Sequence, residues 1–143
     1  MTDKTTDRPY RPLVYVASPL SGDVEANNER TRSFCRFVVE HGCIPLAPQL
    51  IYPQFMNDED QAERELAMFM DVILLGKCSE LWVLGDRVSS GMQMEIEVAK
   101  KRRQTIRWFN KDFQEVPAWE YYEQSRQNTK VIFSDQDWRH AVQ

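Results

Sequence analysis

The sequence predicts an α/β protein, a three-layer Rossmann-like domain on a parallel core sheet. Three observations lead there. Short apolar, β-rich runs at 13–17, 43–47, 81–84 and 105–109 alternate with amphipathic helical stretches, the order of a parallel sheet with crossover helices. The run Leu81-Trp82-Val83-Leu84 is apolar without interruption, the pattern of a strand covered on both faces. The chain has 143 residues, the size of one domain able to bury a core without disulfides or metal.

The elements follow in order. Residues 1–12 are polar and of mixed charge and read as a flexible N-terminal arm. The first strand, 13–17 (LVYVA), ends at Ser18-Pro19. The loop Ser18 to Gly22 leads to Asp23, a good N-cap for a helix over 24–41 in which Phe34, Phe37, Val38 and His41 recur at helical spacing. Gly42 closes it. The second strand, 43–47 (CIPLA), is weakened by Pro45, which suits an edge. After a loop over 48–57, Asp58-Glu59-Asp60 puts acid at the start of a helix reaching Leu75. Its apolar stripe is Leu66, Phe69, Met70, Ile73 and Leu74. The third strand, 81–84, ends at Gly85-Asp86, and Ser89-Ser90-Gly91 opens a helix to about Arg103. The fourth strand is 105–109 (TIRWF). This core domain spans 13–109. Residues 110–143 form a C-terminal appendage: Pro117 suits a first helical position, Trp119, Tyr122 and Arg126 follow at helical spacing, Val131-Ile132-Phe133 is a short strand candidate, and Trp138 is a further large apolar group. Aromatics in that number need a surface to cover, so the appendage is expected to support oligomerisation.

Composition narrows the function classes. A net charge of −4 argues against general affinity for nucleic acid or acidic lipid. The basic cluster Lys100-Lys101-Arg102-Arg103 closes a helix, where cations complement the dipole. No apolar run reaches the ~20 residues of a membrane helix, and the N-terminus lacks a signal-peptide pattern, so the expected compartment is the cytoplasm. Three cysteines suit reduced thiols. Cys35, His41 and Cys43 lie close together without paired C-x-x-C spacing, and buried small apolar groups account for the thiols better than a zinc site.

In a parallel sheet, ligands bind beyond the carboxyl ends of the strands. Two loops fit that place, Ser18 to Asp23 and Gly85 to Gly91. Both carry small residues, hydroxyls and an aspartate before a helix start, which serves equally as an anion site or as an ordinary cap. Neither is a Walker loop or a G-x-G-x-x-G fingerprint.

The helix opened by Gly91 carries a carboxylate on the wrong face. At about 100° per residue, Gly91, Met92, Val98 and Ala99 fall within about 60° of Glu95, and Met94 and Ile96 flank them. Glu95 is therefore central on the apolar face, while Glu97 points away with Gln93 and Lys100. A carboxylate there costs several kcal/mol unless paired, hydrogen-bonded or protonated. It is either a functional group or a structural one bonded to a neighbour. Glu80 and Asp86 bracket the third strand, Asp86 at the ligand edge and Glu80 at the far one; a Gly-Asp turn explains Asp86 equally well.

The segments Val14-Tyr15-Val16-Ala17-Ser18-Pro19-Leu20-Ser21-Gly22-Asp23, Glu80-Leu81-Trp82-Val83-Leu84-Gly85-Asp86 and Ser90-Gly91-Met92-Gln93-Met94-Glu95-Ile96-Glu97-Val98-Ala99 resemble the nucleoside 2-deoxyribosyltransferase-like superfamily, closest to a bacterial and phage branch without an assigned activity. The resemblance implies that Glu95 attacks the anomeric carbon of a nucleoside and that Asp86 assists at the leaving base. It implies a substrate-binding set of Tyr15, Ser18, Ser21, Gly22, Asp23, Glu80, Ser89, Ser90, Gly91 and Met92, with the serines and glycines able to hold a 5′-phosphate. Glu97 stands where the transferases often have glycine, and no base-recognition loop is identifiable. The expected function is cleavage or transfer at the N-glycosidic bond of a nucleoside or nucleotide, with no cofactor and no metal, in a homo-oligomer. The alternatives are a non-catalytic sensor or sequestering protein for a nucleotide derivative, for instance in phage–host conflict, and a scaffold using its aromatic C-terminal segment.

Overall fold

The computed structural model describes residues 9–121 and 123. The elements are β1 (Leu13–Ala17), α1 (Val24–Glu40), β2 (Ile44–Leu46), two 3-10 turns (Pro48–Leu50 and Tyr52–Gln54), α2 (Gln61–Lys77), β3 (Glu80–Leu84), α3 (Ser90–Lys101), β4 (Thr105–Phe109) and β5 (Glu115–Val116). They form a five-stranded sheet in the order β2-β1-β3-β4-β5. The first four strands are parallel, and β5 pairs antiparallel to β4. The architecture is the expected α/β one; β5 is an addition that its two-residue length kept out of the sequence pattern.

The order explains the layers. From β1 the chain steps outward to β2, then reverses and crosses back to β3. Right-handed crossovers in opposite directions put α1 on one face and α2 and α3 on the other. The strands alternate accordingly. Val14, Val16, Trp82 and Leu84 pack with Phe34, Val38 and Phe109 on the α1 face. Tyr15, Ala17, Leu81 and Val83 pack with Leu75, Met92, Ile96 and Ala99 on the other. Pro45 sits on edge strand β2, where the missing N–H costs no ladder bond.

Local chemistry sets the ends. Asp23, Asp60 and Ser89 cap α1, α2 and α3 through bonds to the N–H groups of Ala26, Ala62 and Met92. At the other end of the molecule, the Gln104 amide donates to the carbonyls of Leu75 and Cys78, tying the end of α2 to β4. The expected stripe of α2 is only partly its core face: Leu74 packs half-buried against the core and Met70 is half-buried, but Leu66, Phe69 and Ile73 are exposed, and Leu75 is the fully buried residue of the helix.

The flanking segments are only partly described. Arg11 donates to the Val39 carbonyl, and the Pro12 carbonyl accepts from Ile44 N–H, so the arm is attached to the sheet by residues 11–12. After Pro117 the chain turns helical over 118–121. Tyr121 is buried against Trp108, while Trp119 is exposed. Thus it is Tyr121, not Trp119, that anchors this segment. Residues 1–8, Tyr122, Arg126, the candidate strand 131–133 and Trp138 lie outside the described residues.

Candidate functional site

A cavity of about 580 Å³ opens at the carboxyl edge of the sheet, where the strand order reverses between β1 and β3. That volume suits a drug-sized metabolite. The two loops following these strands pack on each other at its rim. Gly85, with a φ of +117°, has the Pro19 ring 3.0 Å from where a Cβ would sit. The Arg87 guanidinium bonds the Ser21 carbonyl and lies against Gly22, whose φ is +99°. A side chain at either glycine would strain the backbone and push the loops apart.

Of the residues singled out by sequence, Tyr15, Ser18, Ser21, Gly22, Ser89, Ser90, Gly91, Met92 and Glu95 line this cavity. Three do not. Asp23 is occupied as the cap of α1. Glu80 opens β3 at the opposite edge and accepts a 2.9 Å bond from Trp82 Nε1. Asp86 follows β3 but is outside the lining, since the turn at Gly85 carries it away from the cavity. The acid that does enter comes from α2, Asp71.

Glu95 and Asp71 flank the Tyr15 hydroxyl. Glu95 is buried with Met92, Ile96 and Ala99 on the inner face of α3. Burial pushes its carboxyl up to about 8; the Tyr15 hydroxyl opposes this by bonding the carboxylate, and the charge of Asp71 adds to it. Burial likewise raises Asp71 to about 6, again opposed by Tyr15. Tyr15 is raised well above the phenol range by burial and then by the charge of Glu95, so it remains a donor. Asp71 Oδ1 is buried with no partner among the described residues. Between about pH 6 and 8 the carboxylate pair therefore holds a single proton. Glu97, two residues on, instead pairs with Lys101 at 3.0 Å on the outer side.

Gln49 of the first 3-10 turn and Ser18 complete one wall, backed by Thr31 of α1. The Ser18 and Thr31 hydroxyls meet at 2.7 Å, and Gln49 Nε2 donates to Thr31 at 3.0 Å. Gln49 also lines the cavity, with Tyr52, Met56 and Asn57 nearby. Sequence reasoning missed Asp71, Gln49 and Thr31. Asp71 had a signal: it is an acid on the opposite side of α2 from its exposed apolar stripe. Among the described residues, no group of three His, Cys, Asp or Glu is placed to hold a metal ion.

A family model described as a domain of unknown function (DUF7768) matches residues 12–109. The chain belongs to that family. No curated protein matches it in sequence. Among solved structures, a 2-deoxyribosyltransferase from the psychrotolerant bacterium Bacillus psychrosaccharolyticus superposes with a TM-score of 0.59 at 11% identity, over 87% of this chain and 94% of that one. A conserved protein from Enterococcus faecalis V583 superposes with a TM-score of 0.50 at 18% identity, over 85% of this chain and 77% of that one. At such identities the likeness is one of fold: this DUF7768 domain has a distant structural relationship to the deoxyribosyltransferase.

Proposed function

We propose that the protein cleaves or transfers at the N-glycosidic bond of a nucleoside or nucleotide, with Glu95 as nucleophile and Asp71 as the acid. The observation that carries this reading is the pair of buried carboxylates on either side of Tyr15 in one cavity. In the productive state the shared proton resides on Asp71 and Glu95 is charged. A Glu95 oxygen attacks C1′, the C1′–N bond breaks, its electron pair goes to the base nitrogen, and that nitrogen takes the Asp71 proton. Water or a second base then attacks C1′, giving its proton back to the Asp71 carboxylate, as the C1′–O bond breaks and its electron pair returns to Glu95. The positive charge developing on the sugar favours the ionised carboxylate in the transition state, although burial disfavours it in the free protein.

Tyr15 orients Glu95 through its hydroxyl. Ser18, Ser21, Gly22 and the Ser89–Gly91 start of α3 hold the sugar or its 5′-phosphate. The chemistry asks for no metal or redox cofactor. In this reading the protein works in the cytoplasm, on a free nucleoside or nucleotide, as a homo-oligomer.

Incubation with a panel of nucleosides, nucleotides and NAD, followed by chromatography of released base, tests the reading. Base release that disappears in Glu95→Gln supports it. Tight binding without turnover, seen as a rise in melting temperature, would replace it with a sensing or sequestering role.

A further inference from the structure

Thr31 is outside the cavity lining, yet its hydroxyl joins the groups of the wall in front of it. The residue sits on the inner face of α1 with Phe34 and Val38 and is 1% exposed. Its Oγ1 meets three polar groups: the Asn27 carbonyl at 2.8 Å, the Ser18 hydroxyl at 2.7 Å and Gln49 Nε2 at 3.0 Å. The same turn of α1 holds the loop that follows Ser18, because Asn27 Nδ2 donates to the Leu20 and Ser21 carbonyls.

This arrangement fixes the direction of every bond in it. A hydroxyl has one proton to give and two lone pairs to fill. The Asn27 carbonyl can only accept, so the Thr31 proton goes there, one helical turn back. Thr31 then has nothing to donate to Ser18 or Gln49. Ser18 gives its proton to Thr31, and Gln49 presents Nε2, since Oε1 in that place would set acceptor against acceptor. Thr31 is thereby fully satisfied, with one proton given and two received.

The cavity inherits the polarity. Ser18 lines it with its proton already engaged, so its oxygen shows a ligand lone pairs alone. Gln49 lines it with one N–H bound to Thr31, and its Oε1 makes no hydrogen bond among the described residues. A ligand group that donates is matched by such a wall. A phosphate oxygen or a ring carbonyl, which only accepts, gains nothing from Ser18.

We propose that Thr31 is a positioning residue that sets the Ser18–Gln49 wall as hydrogen-bond acceptors, so that the site selects substrates presenting a donor there, a sugar hydroxyl or a ring amino group. The proposal rests on the nucleoside or nucleotide reading of the same cavity. Without the Thr31 hydroxyl, the Ser18 proton is free to turn into the cavity and the Gln49 amide is free to rotate. The preference for donors is then lost, although no group that touches the substrate has been replaced.

The test compares wild type with Thr31→Val, which keeps the shape and removes the hydroxyl, and Thr31→Ser, which keeps the hydroxyl. Base release is measured for nucleosides against their 2′-, 3′- and 5′-deoxy forms, which remove one sugar donor each. Adenosine and cytidine are also measured against the ribosides of purine and 2-pyrimidinone, which lack the ring amino group. The pair that responds tells the two sources apart. Wild type is expected to favour the donor-bearing member of at least one pair by on the order of tenfold. Thr31→Val should erase that preference, chiefly through KM, and Thr31→Ser should retain it. No preference in any pair, or a preference that Thr31→Val leaves unchanged, overturns the proposal. Base release from no nucleoside or nucleotide strikes the glycosidic reading instead, and the free protein then decides the role of Thr31. By NMR the Gln49 side-chain amide should be protected from hydrogen exchange in wild type and Thr31→Ser and exposed in Thr31→Val, and equal exchange in all three overturns the assignment.

Discussion

Arg107 on the α1 face of the sheet meets Glu115 through two hydrogen bonds, of 2.9 and 2.7 Å, with its guanidinium 4.5 Å above the Trp82 ring. On the opposite face Glu95 is surrounded by apolar side chains, and what acts on it is burial, Tyr15 and a second acid, with no cation among them. The consequences are opposite. The partnership with Arg107 pulls the Glu115 carboxyl below its ordinary range, whereas Glu95 and Asp71 are pushed up. The fold has cations available and uses them where charge only needs to be held. It leaves a carboxylate pair without one where the loops open. Pairing stabilises a charge; withholding the partner leaves a group whose charge a ligand can call for.

The sharpest way to break this contrast is Glu95→Gln. Turnover should fall by several orders of magnitude if attack is covalent, measured as released base under saturating substrate. The same variant should gain stability. Because the folded state raises the Glu95 value from 4.5 to about 8, its proton stabilises the fold fully at low pH, and that contribution is lost as pH rises through about 8. The stability of Glu95→Gln should therefore exceed that of the wild type by a margin that grows as pH rises from 4.5 and levels off above about 8, at on the order of a few kcal/mol, read from melting curves. Equal melting curves at pH 5 and pH 9 would contradict the burial argument.

Next in size is Asp71→Asn, expected to lower kcat/KM by about 10²–10⁴-fold with the fold intact. Asp86→Asn should change it little. If the two variants exchange behaviours, the acid is Asp86 after all. The pH profile sharpens the same point: kcat/KM should be bell-shaped, with limbs near 6 and 8 belonging to the carboxylate pair as a whole. Asp71→Asn should remove one limb.

Tyr15→Phe is expected to act more mildly on rate and to move the Glu95 limb upward, because the hydroxyl favours the charged carboxylate. An unmoved limb would show that the phenol only fills space. The smallest effect belongs to the other face. Glu115→Gln should cost under about 1 kcal/mol in denaturant unfolding, since the pair is partly exposed, and should leave turnover unchanged.

Much of this was legible in the residues. Strand and helix alternation fixed the class, and Phe34, Val38, Trp82 and Leu84 were legible as core of the α1 face and Leu81 and Val83 as core of the other, because burial in a sheet protein follows local period. Glu95 stood out for the same reason: a helical wheel needs only local sequence to show an acid on an apolar face. Asp71, Gln49 and Thr31 were not legible as a group, because they come from three elements that meet only where the strand order reverses. Asp86 shows the complementary point. It stands at the correct strand end, yet one positive-φ glycine turns the chain away from the cavity.

α2 marks the boundary most clearly. The sequence by itself determined that the helix is amphipathic, since periodicity is a property of one segment. Only the tertiary structure decided that the apolar side looks outward and the side bearing Asp71 looks in. A hydrophobic stripe says that a helix face needs covering, and it does not say by what. That is set by which surface the rest of the chain, or another chain, brings to it.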